Sequence, residues 1–363
     1  MPRPRATRKA FSSSIRTRSG REKIKKEMRK PRLPDRPWVP LIGSALIIAL
    51  GLFSLPSILK HDLQNEGIND PARSFPVTVY PGEKRIVVDP EIEKLLSVRP
   101  TSLSAAVGVA EIAYRLLAVR ISEMPLYRQI AGTAGINNLF VTIYSGQRAE
   151  EVAASFGAQL GWNAQQRADF LKEVRARNPK LPDGQFVPGI YFVGVTAPAD
   201  VAAITQQRFE NEILSRYGTT TAAQVPLEDA ITIASLIERE AGGWHDMRDI
   251  SGIIWNRLFI GMNLQIDATM QYSKATLAGG SGGWWPTPVP DDKFIRHAYN
   301  TYRGPGLPPG PIANPSIAAV VAALNPKKTD CIFYFHDQYG RFHCSPTYAG
   351  HVTLLRKHYG QGR

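Results

Sequence analysis

The stretch that decides the fold is LEDAITIASLIERE, residues Leu227–Glu240. Its apolar side chains recur with the i, i+3, i+4 spacing of one helix face, at Ile233, Leu236 and Ile237. Glu240 lies seven residues after Ile233 and continues that face, whereas Glu238 lies well off it. The pattern predicts a packed helix on which Glu240 is held against apolar surface and Glu238 faces solvent.

This placement of Glu240 suits acid and base chemistry. An apolar environment disfavours the charged carboxylate and raises its pKa toward the range that a general acid needs. The helix pattern stops at once in Ala241, Gly242 and Gly243, so the carboxyl group lies at a helix end that opens on a loop. The alternative is a structural ion pair of Glu240 with Arg257 or Arg248.

Further polar side chains follow Glu240 and could hold an uncharged sugar. Aromatic faces stack on sugar rings, and amide and hydroxyl groups form hydrogen bonds with them. The candidates for substrate binding or for orienting the acid are Asn256, Arg257, Gln265, Asp267, Tyr299, Asn300 and Tyr302. The same residues could instead form a hydrogen-bonded network in the core.

Other chemistries lack their motifs. The sequence has no HExxH and no CxxC, and its seven histidines show no zinc-ligand spacing. The glycines of residues 279–283 lack the Lys and Ser/Thr of a phosphate-binding loop. The sequence therefore predicts no metal and no cofactor.

The N-terminal region predicts a membrane anchor. Residues 1–37 carry 14 Lys and Arg against three acidic side chains, and the 22 residues from Trp38 to Leu59 carry no charge. A stretch of that length spans a bilayer, and the preceding positive charges place residues 1–37 in the cytoplasm and the rest outside. The alternative is a cleaved signal peptide. The remainder of the chain is nearly neutral, which argues against nucleic acid as a partner.

The pattern of elements predicts an α+β fold. Two β-branched strands that end at glycine turns, VTVYPG (77–82) and VTIYSG (141–146), flank a helical segment at 103–130, and the chain changes character near residue 220. Near its end, CIFYFHDQYGRFHC predicts a β-hairpin with a turn at 337–340. Cys331 and Cys344 bracket this hairpin and form either a cross-strand disulfide or two free thiols.

The motifs together resemble one family. They are, in order, ASLIERE (234–240), NRL to LQ (256–265) with Asp267, YNTY (299–302), GLPPGPIANP (306–315) and NPKKTD (325–330). With these motifs the chain resembles the YceG-like family, the MltG-type endolytic murein transglycosylases.

This resemblance implies a domain organisation. We expect a basic cytoplasmic tail (1–37), a transmembrane helix (38–59), a juxtamembrane linker with a small α/β region (60–136), a LysM-like subdomain (137–220) and a YceG-like catalytic domain (221–363) that ends in the β-hairpin. The implied location is the inner membrane, crossed once, with the catalytic domain on the periplasmic side.

The resemblance also implies the reaction. Members cleave the β-1,4 bond between MurNAc and GlcNAc in peptidoglycan strands without water and leave 1,6-anhydroMurNAc ends. The essential glutamate aligns with Glu240, with Glu238 as the fallback, and peptidoglycan synthases are further expected partners. A muramidase, with Asp246 or Asp267 as a second carboxylate, and a membrane-tethered glycan-binding scaffold are the rival interpretations.

Overall fold

The computed structural model describes residues 38–65, 74–97, 102–134 and 139–360. The helices are α1 (Trp38–Asn65), α2 (Pro90–Ser97), α3 (Ser102–Glu123), α4 (Pro125–Thr133), α5 (Ala149–Leu160), α6 (Ala164–Arg177), α7 (Pro198–Glu212), α8 (Thr219–Gln224), α9 (Leu227–Glu240), α10 (Met247–Phe259), α11 (Asp267–Leu277), α12 (Ile317–Leu324) and α13 (Tyr348–Tyr359). The strands are β1 (Val79–Tyr80), β2 (Arg85–Ile86), β3 (Leu139–Ile143), β4 (Gly189–Val193), β5 (Phe333–His336) and β6 (Phe342–Ser345). This mixed composition confirms the predicted α+β class.

Helix α1 contains the uncharged stretch that the sequence assigned to the membrane. Its segment Ile42–Gln64 is long and apolar enough to cross a bilayer. The helix continues past Leu59, the predicted end, to Asn65. A compact unit of the chain begins at Phe53, within this helix. The basic tail, residues 1–37, lies outside the described residues, so its cytoplasmic location stays a prediction.

Residues 102–133 form two helices where the sequence predicted one. The break lies at Met124, whose backbone is extended, and Pro125 then begins α4. Proline disfavours helical geometry in the residue before it and is well tolerated at the first helical position. The steric rule for the residue before proline therefore outweighs the continuous apolar spacing.

Strands β3 and β4 form the sheet of a small α/β unit. They pair antiparallel over five residues, with Leu139 opposite Val193 and Ile143 opposite Gly189. One face packs against α5 and α6 in a hydrophobic cluster that extends from Val141 to Ala202. This cluster is separate from the core around α9.

The larger core surrounds α9, in which every side chain from Ala230 to Ile237 is buried. Helices α10, α11 and α12 contribute to this core, and so do Phe75, Val79 and Ile86 from the β1–β2 region. Burial on all sides explains why α9 is a long uninterrupted apolar helix with charges only near its ends. The core positions the C-terminal end of α9 rigidly.

The predicted hairpin is present as β5 and β6, with Phe333 opposite Ser345 and His336 opposite Phe342. Cys331 and Cys344 form a disulfide, which settles the alternative that the sequence left open. Cys331 lies two residues before β5, and the residue directly opposite Cys344 is Tyr334. The chain continues after the hairpin into helix α13, whereas the sequence predicted that the domain ends in the hairpin.

Candidate active site

Glu240 is the last residue of α9. The helix ends there because Ala241 adopts an extended backbone, although its N–H still bonds to the Ile237 carbonyl at 2.9 Å. The following loop is held by Asp246, whose carboxylate accepts hydrogen bonds from the N–H groups of Gly242 (3.0 Å) and Gly243 (3.2 Å). The Glu240 side chain thus projects from a fixed helix end.

The carboxyl group of Glu240 is half-buried and has a specific hydrogen-bond donor. Tyr334 Oη, from β5, donates to Glu240 Oε2 at 2.7 Å. Burial raises the pKa of Glu240 above its ordinary value, and the charge of Asp267 raises it further, whereas the Tyr334 hydrogen bond, the Ala268 N–H and His336 act against this rise. The pKa of Tyr334 is raised strongly by its own burial, so its hydroxyl remains a proton donor.

The two arginines that could have neutralised Glu240 are engaged elsewhere. Arg248 forms an ion pair with Glu93, in which Nη1 lies 3.0 Å from Oε2. Arg257 is buried and donates to the backbone carbonyls of Ile332 (2.7 Å) and Leu264. Within the described residues Glu240 forms no ion pair with either arginine, so the structural alternative lacks the contact on which it depended.

Glu238 does not face solvent, and that prediction was wrong. Its Oε2 accepts hydrogen bonds from the backbone N–H (2.9 Å) and the Oγ (2.6 Å) of Ser316. Ser316 is the N-cap of α12, which packs along α9. The spacing of the apolar residues predicted one packed face for this helix, but α9 is packed on more than one side. Glu238 therefore contacts the N-terminus of a neighbouring helix.

Glu240 lies in an open cleft of about 400 Å³ between the end of α9 and the hairpin. Its walls contain several of the predicted site residues together with residues of β5 and α13. The lining residues are Glu240, Arg257, Gln265, Asp267, Tyr302, Phe333, Tyr334, Phe335, His336, Tyr348 and His351. The cleft is thus rich in aromatic and hydrogen-bonding groups, which suits a sugar ligand.

One wall of the cleft is formed by the segment before α11 and by Tyr302. Tyr302 Oη donates to Asp267 Oδ1 at 2.6 Å. Gln265 has a φ of 49°, the left-handed region that residues other than glycine rarely adopt. Hydrogen bonds with Thr301 hold this conformation: the Gln265 N–H bonds to the Thr301 carbonyl at 3.1 Å, and the Ile266 N–H bonds to Thr301 Oγ1 at 3.0 Å.

Asp246, a candidate second carboxylate, is almost fully buried at 1% exposure. Besides the two glycine N–H groups, it contacts His336 Nε2 at 2.6 Å. The glycine contacts hold the loop after α9 together, and the His336 contact links that loop to strand β5. Asp267 is exposed in the cleft and is the remaining candidate for a second carboxylate.

Three predicted site residues lie outside the cleft lining. The amide of Asn256 donates to the carbonyls of Thr329 (2.8 Å) and Cys331 (3.0 Å) and so positions the chain before β5. Asn300 is buried, and its amide nitrogen bonds to the Ile295 carbonyl at 2.9 Å. Tyr299 packs against Tyr272, with 4.6 Å between ring centroids. These contacts match the core-network alternative for these three residues.

Residues of the hairpin and α13 were missed as site candidates, chiefly Tyr334, His336, Tyr348 and His351. The sequence contained one indication that two of these residues belong together. Tyr334 and His336 are two residues apart in a predicted strand, which places both side chains on the same face. That this face points at Glu240 depends on the packing of residues almost a hundred positions apart, which strand periodicity does not report.

Comparisons with known proteins agree on one family. The sequence model of the YceG-like family matches residues 109–357. Two curated relatives are named endolytic murein transglycosylase: that of Bacillus subtilis is 35% identical over 135 residues, and that of Streptococcus pneumoniae strain D39 is 32% identical over 121 residues. These matches cover 37% and 33% of this chain but only 36% and 22% of the respective relatives.

A solved structure shares the fold. The crystal structure of a YceG-like protein from Listeria monocytogenes superposes with a TM-score of 0.53 at 23% identity and covers 63% of this chain and 80% of that one. The family match includes α9 and its Glu240, the cleft and the hairpin, and it extends over more than half of the chain. The chain therefore belongs to the YceG-like family.

Proposed function

We propose that this protein is an endolytic peptidoglycan lytic transglycosylase with Glu240 as its acid and base. The observation that carries the proposal is the Glu240 carboxyl group itself, which is half-buried, has a raised pKa and lies in a cleft lined by aromatic and amide groups. The curated relatives are named for this activity and support the same assignment.

The proposed reaction needs one carboxylic acid rather than the two of most glycosidases. Protonated Glu240 donates its proton to the GlcNAc oxygen that leaves MurNAc C1. The resulting carboxylate then takes the proton from the C6 hydroxyl of MurNAc as that oxygen bonds to C1. The strand then ends in a 1,6-anhydroMurNAc and Glu240 is protonated again. The reaction consumes no water.

The neighbours of Glu240 suit both halves of this cycle. The burial that raises its pKa favours the protonated acid of the first step. The Tyr334 hydroxyl donates to the carboxylate and stabilises the charged form that exists between the two steps. We assign Arg257, Gln265, Asp267 and Tyr302 to substrate binding or to positioning, since they line the cleft.

The domain organisation and the membrane topology belong to the same proposal. The separate hydrophobic cluster from Val141 to Ala202 supports a LysM-like subdomain within residues 137–220, ahead of a catalytic domain at 221–363. Segment Ile42–Gln64 would cross the inner membrane once, with the N-terminus in the cytoplasm and the catalytic domain next to the wall.

The decisive experiment is digestion of purified peptidoglycan strands by the full-length protein in detergent, with mass spectrometry of the new chain ends. Anhydro ends are expected. Glu240→Gln should reduce their formation about 10²–10⁴-fold, the usual contribution of general acid–base catalysis. The matched control is Glu238→Gln, which changes the neighbouring acid of the same helix and should leave anhydro ends in the product.

The same assay separates the rivals. Reducing MurNAc ends in place of anhydro ends would identify a hydrolase, with Asp267 as the carboxylate to test next. Strand binding without any new ends would identify a glycan-binding scaffold. Equal release of anhydro ends by wild type and Glu240→Gln would remove Glu240 from the mechanism.

A further inference from the structure

Three potential metal ligands meet at the far end of the hairpin, outside the proposed catalytic machinery. They are Asp337 in the β5–β6 turn, His343 in β6 and His358 near the end of α13. One ligand atom from each residue lies within 4.8 Å of the other two. Asp337 Oδ2 is 3.0 Å from His343 Nε2 and 3.8 Å from His358 Nδ1.

The carboxylate is oriented before any ligand binds. Asp337 Oδ1 accepts hydrogen bonds from the backbone N–H groups of Tyr339 (2.9 Å) and Arg341 (3.0 Å). Its second oxygen therefore points toward the two imidazoles. A carboxylate whose other oxygen is hydrogen-bonded is the arrangement that supports ligands in metal sites.

Both imidazoles converge on the same point. The ring centroids of His343 and His358 are 4.2 Å apart. The Asp337 side chain is 1% exposed, that of His343 is 23% exposed and that of His358 is 17% exposed. One histidine would suffice to pair with the carboxylate. The second histidine packs edge to face on Phe335, but its Nδ1 is 3.8 Å from Oδ2, too far for a good hydrogen bond.

From this geometry we propose that Asp337, His343 and His358 form a binding site for a divalent transition-metal ion, with Zn²⁺ as the best fit. Two imidazole nitrogens and one carboxylate oxygen are a donor set that zinc accepts, with water as a fourth ligand. Tetrahedral zinc with bonds of about 2 Å separates its ligand atoms by roughly 3.3 Å, so small side-chain rotations bring the three atoms into place.

Arg341 occupies part of this site when no ion is bound. Its Nε lies 2.7 Å from Asp337 Oδ2, and its side chain is 62% exposed. A metal ion would compete with the guanidinium for the same oxygen. Because Arg341 is largely in solvent, it can leave without breaking buried contacts.

The consequence of metal binding would be structural. The ion would join the turn and β6 of the hairpin to the last helix, and both β5 of the same hairpin and the last helix contribute residues to the cleft wall. Asp337 directly follows His336, a cleft residue whose carbonyl already accepts a hydrogen bond from Tyr359 Oη at 2.5 Å. Metal binding would therefore hold the hairpin that carries Tyr334 against α13. This role is independent of the proposed acid–base chemistry.

Titration of the full-length, chelator-treated protein with ZnCl₂ in a calorimeter tests the site. We expect one equivalent of zinc to bind, and we expect His343→Gln and His358→Gln to weaken the affinity at least tenfold. Co²⁺ in the same site should give the visible absorption of a tetrahedral ion. The matched control is His245→Gln, which removes an exposed histidine outside the cluster and should bind zinc like wild type.

Arg341→Ala makes the test independent of folding defects, since it removes only the competing cation. It should bind zinc more tightly than wild type. Absence of stoichiometric binding by wild type would overturn the proposal. So would equal affinities of wild type, His343→Gln and His358→Gln. Circular dichroism of each variant confirms that a loss of binding is not a loss of fold.

Discussion

At the scale of single residues, burial raises the pKa of Glu240, and two neighbouring side chains then act on it in opposite directions. The Tyr334 hydrogen bond stabilises the carboxylate and lowers the pKa, whereas the negative charge of Asp267 raises it. Neither contribution was visible from α9 alone, because Tyr334 comes from the hairpin and Asp267 from the start of α11. The acid strength of Glu240 is thus a property of three separate elements.

Two substitutions should therefore move the pH dependence of the reaction in opposite directions. Tyr334→Phe removes a donor to the carboxylate, so the pKa of Glu240 rises and the alkaline limb of the kcat/KM profile moves to higher pH. Asp267→Asn removes a negative charge, so the pKa falls and the same limb moves to lower pH. Rates of anhydro-end formation across a pH series measure both profiles.

His351→Gln is the control for this pair, since His351 also lines the cleft but is not among the main groups that shift the pKa of Glu240. Its profile should keep the wild-type alkaline limb. Shifts of Tyr334→Phe and Asp267→Asn in the same direction would contradict the assignment of Glu240 as the titrating acid.

At the scale of elements, Glu238 and Ser316 join α9 to α12. Ser316 caps α12 by accepting a hydrogen bond from the Ala319 N–H at 3.2 Å, and it donates to Glu238 through its own N–H and hydroxyl. A single serine thus satisfies a helix N-terminus and a half-buried carboxylate. Loss of its hydroxyl leaves both with fewer partners.

Ser316→Ala should lower the free energy of unfolding by about 2–3 kcal/mol, from a lost cap of about 1 kcal/mol and a lost bond to a charged group of about 1.5 kcal/mol. Urea unfolding of the full chain measures this. Thr347→Ala is the matched control, because Thr347 caps α13 through the Gly350 N–H at 3.1 Å and lies outside this contact. It should cost only about 1 kcal/mol, and equal losses would contradict a role for Glu238.

The disulfide stabilises a second element, the hairpin. It links residues 13 positions apart, and closing a loop of this size in the unfolded chain is worth roughly 3 kcal/mol. The double variant Cys331→Ser/Cys344→Ser should therefore unfold at a lower urea concentration. Wild type with dithiothreitol should shift by a similar amount, whereas the double variant should not respond to the reductant. If dithiothreitol also lowered the urea midpoint of the double variant, the shift seen in wild type would not come from this disulfide.

At the scale of the whole molecule, a buried polar cluster joins the small α/β unit to the larger core. Asp183 accepts hydrogen bonds from the Ala149 N–H (2.7 Å) and from Tyr272 Oη of α11 (2.7 Å). Arg148 lies over the Tyr272 ring, with its guanidinium carbon 3.9 Å from the ring centroid. Asp183 is 2% exposed, and burial raises its pKa to about 6.

This raised pKa predicts a pH-dependent stability. The unfolded chain titrates Asp183 near pH 4, so the folded state gains stability from the protonated group below about pH 4 and loses that gain as pH rises through 6. A difference of about two units corresponds to roughly 3 kcal/mol. Asp183→Asn cannot ionise, so its stability relative to wild type should rise between pH 4 and pH 8.

Unfolding free energies of both proteins at pH 4, 6 and 8 measure this difference. Asp169→Asn is a suitable control, since Asp169 lies at the surface of α6 and accepts a hydrogen bond from the Gln165 amide nitrogen at 2.9 Å. A constant difference between Asp183→Asn and wild type across the range would contradict the raised pKa.

The sequence alone determined the features that depend on local pattern. It located α9 and its terminal Glu240, strand β3, the apolar helix near the N-terminus and the hairpin, because helix and strand periodicity reports which face of an element is buried. It also carried enough ordered motifs to indicate the family. Charge and apolar length predicted the membrane anchor without any tertiary information.

The tertiary structure decided which polar groups meet. It directed Glu238 to Ser316, Asn256 and Asn300 to backbone carbonyls, and Tyr334 to Glu240, and it brought Asp337 and His343 to His358 across the hairpin and the last helix. Periodicity gives the direction of a side chain relative to its own element only. Which residue of another element that side chain contacts depends on how distant elements pack, and that packing is set by the whole core.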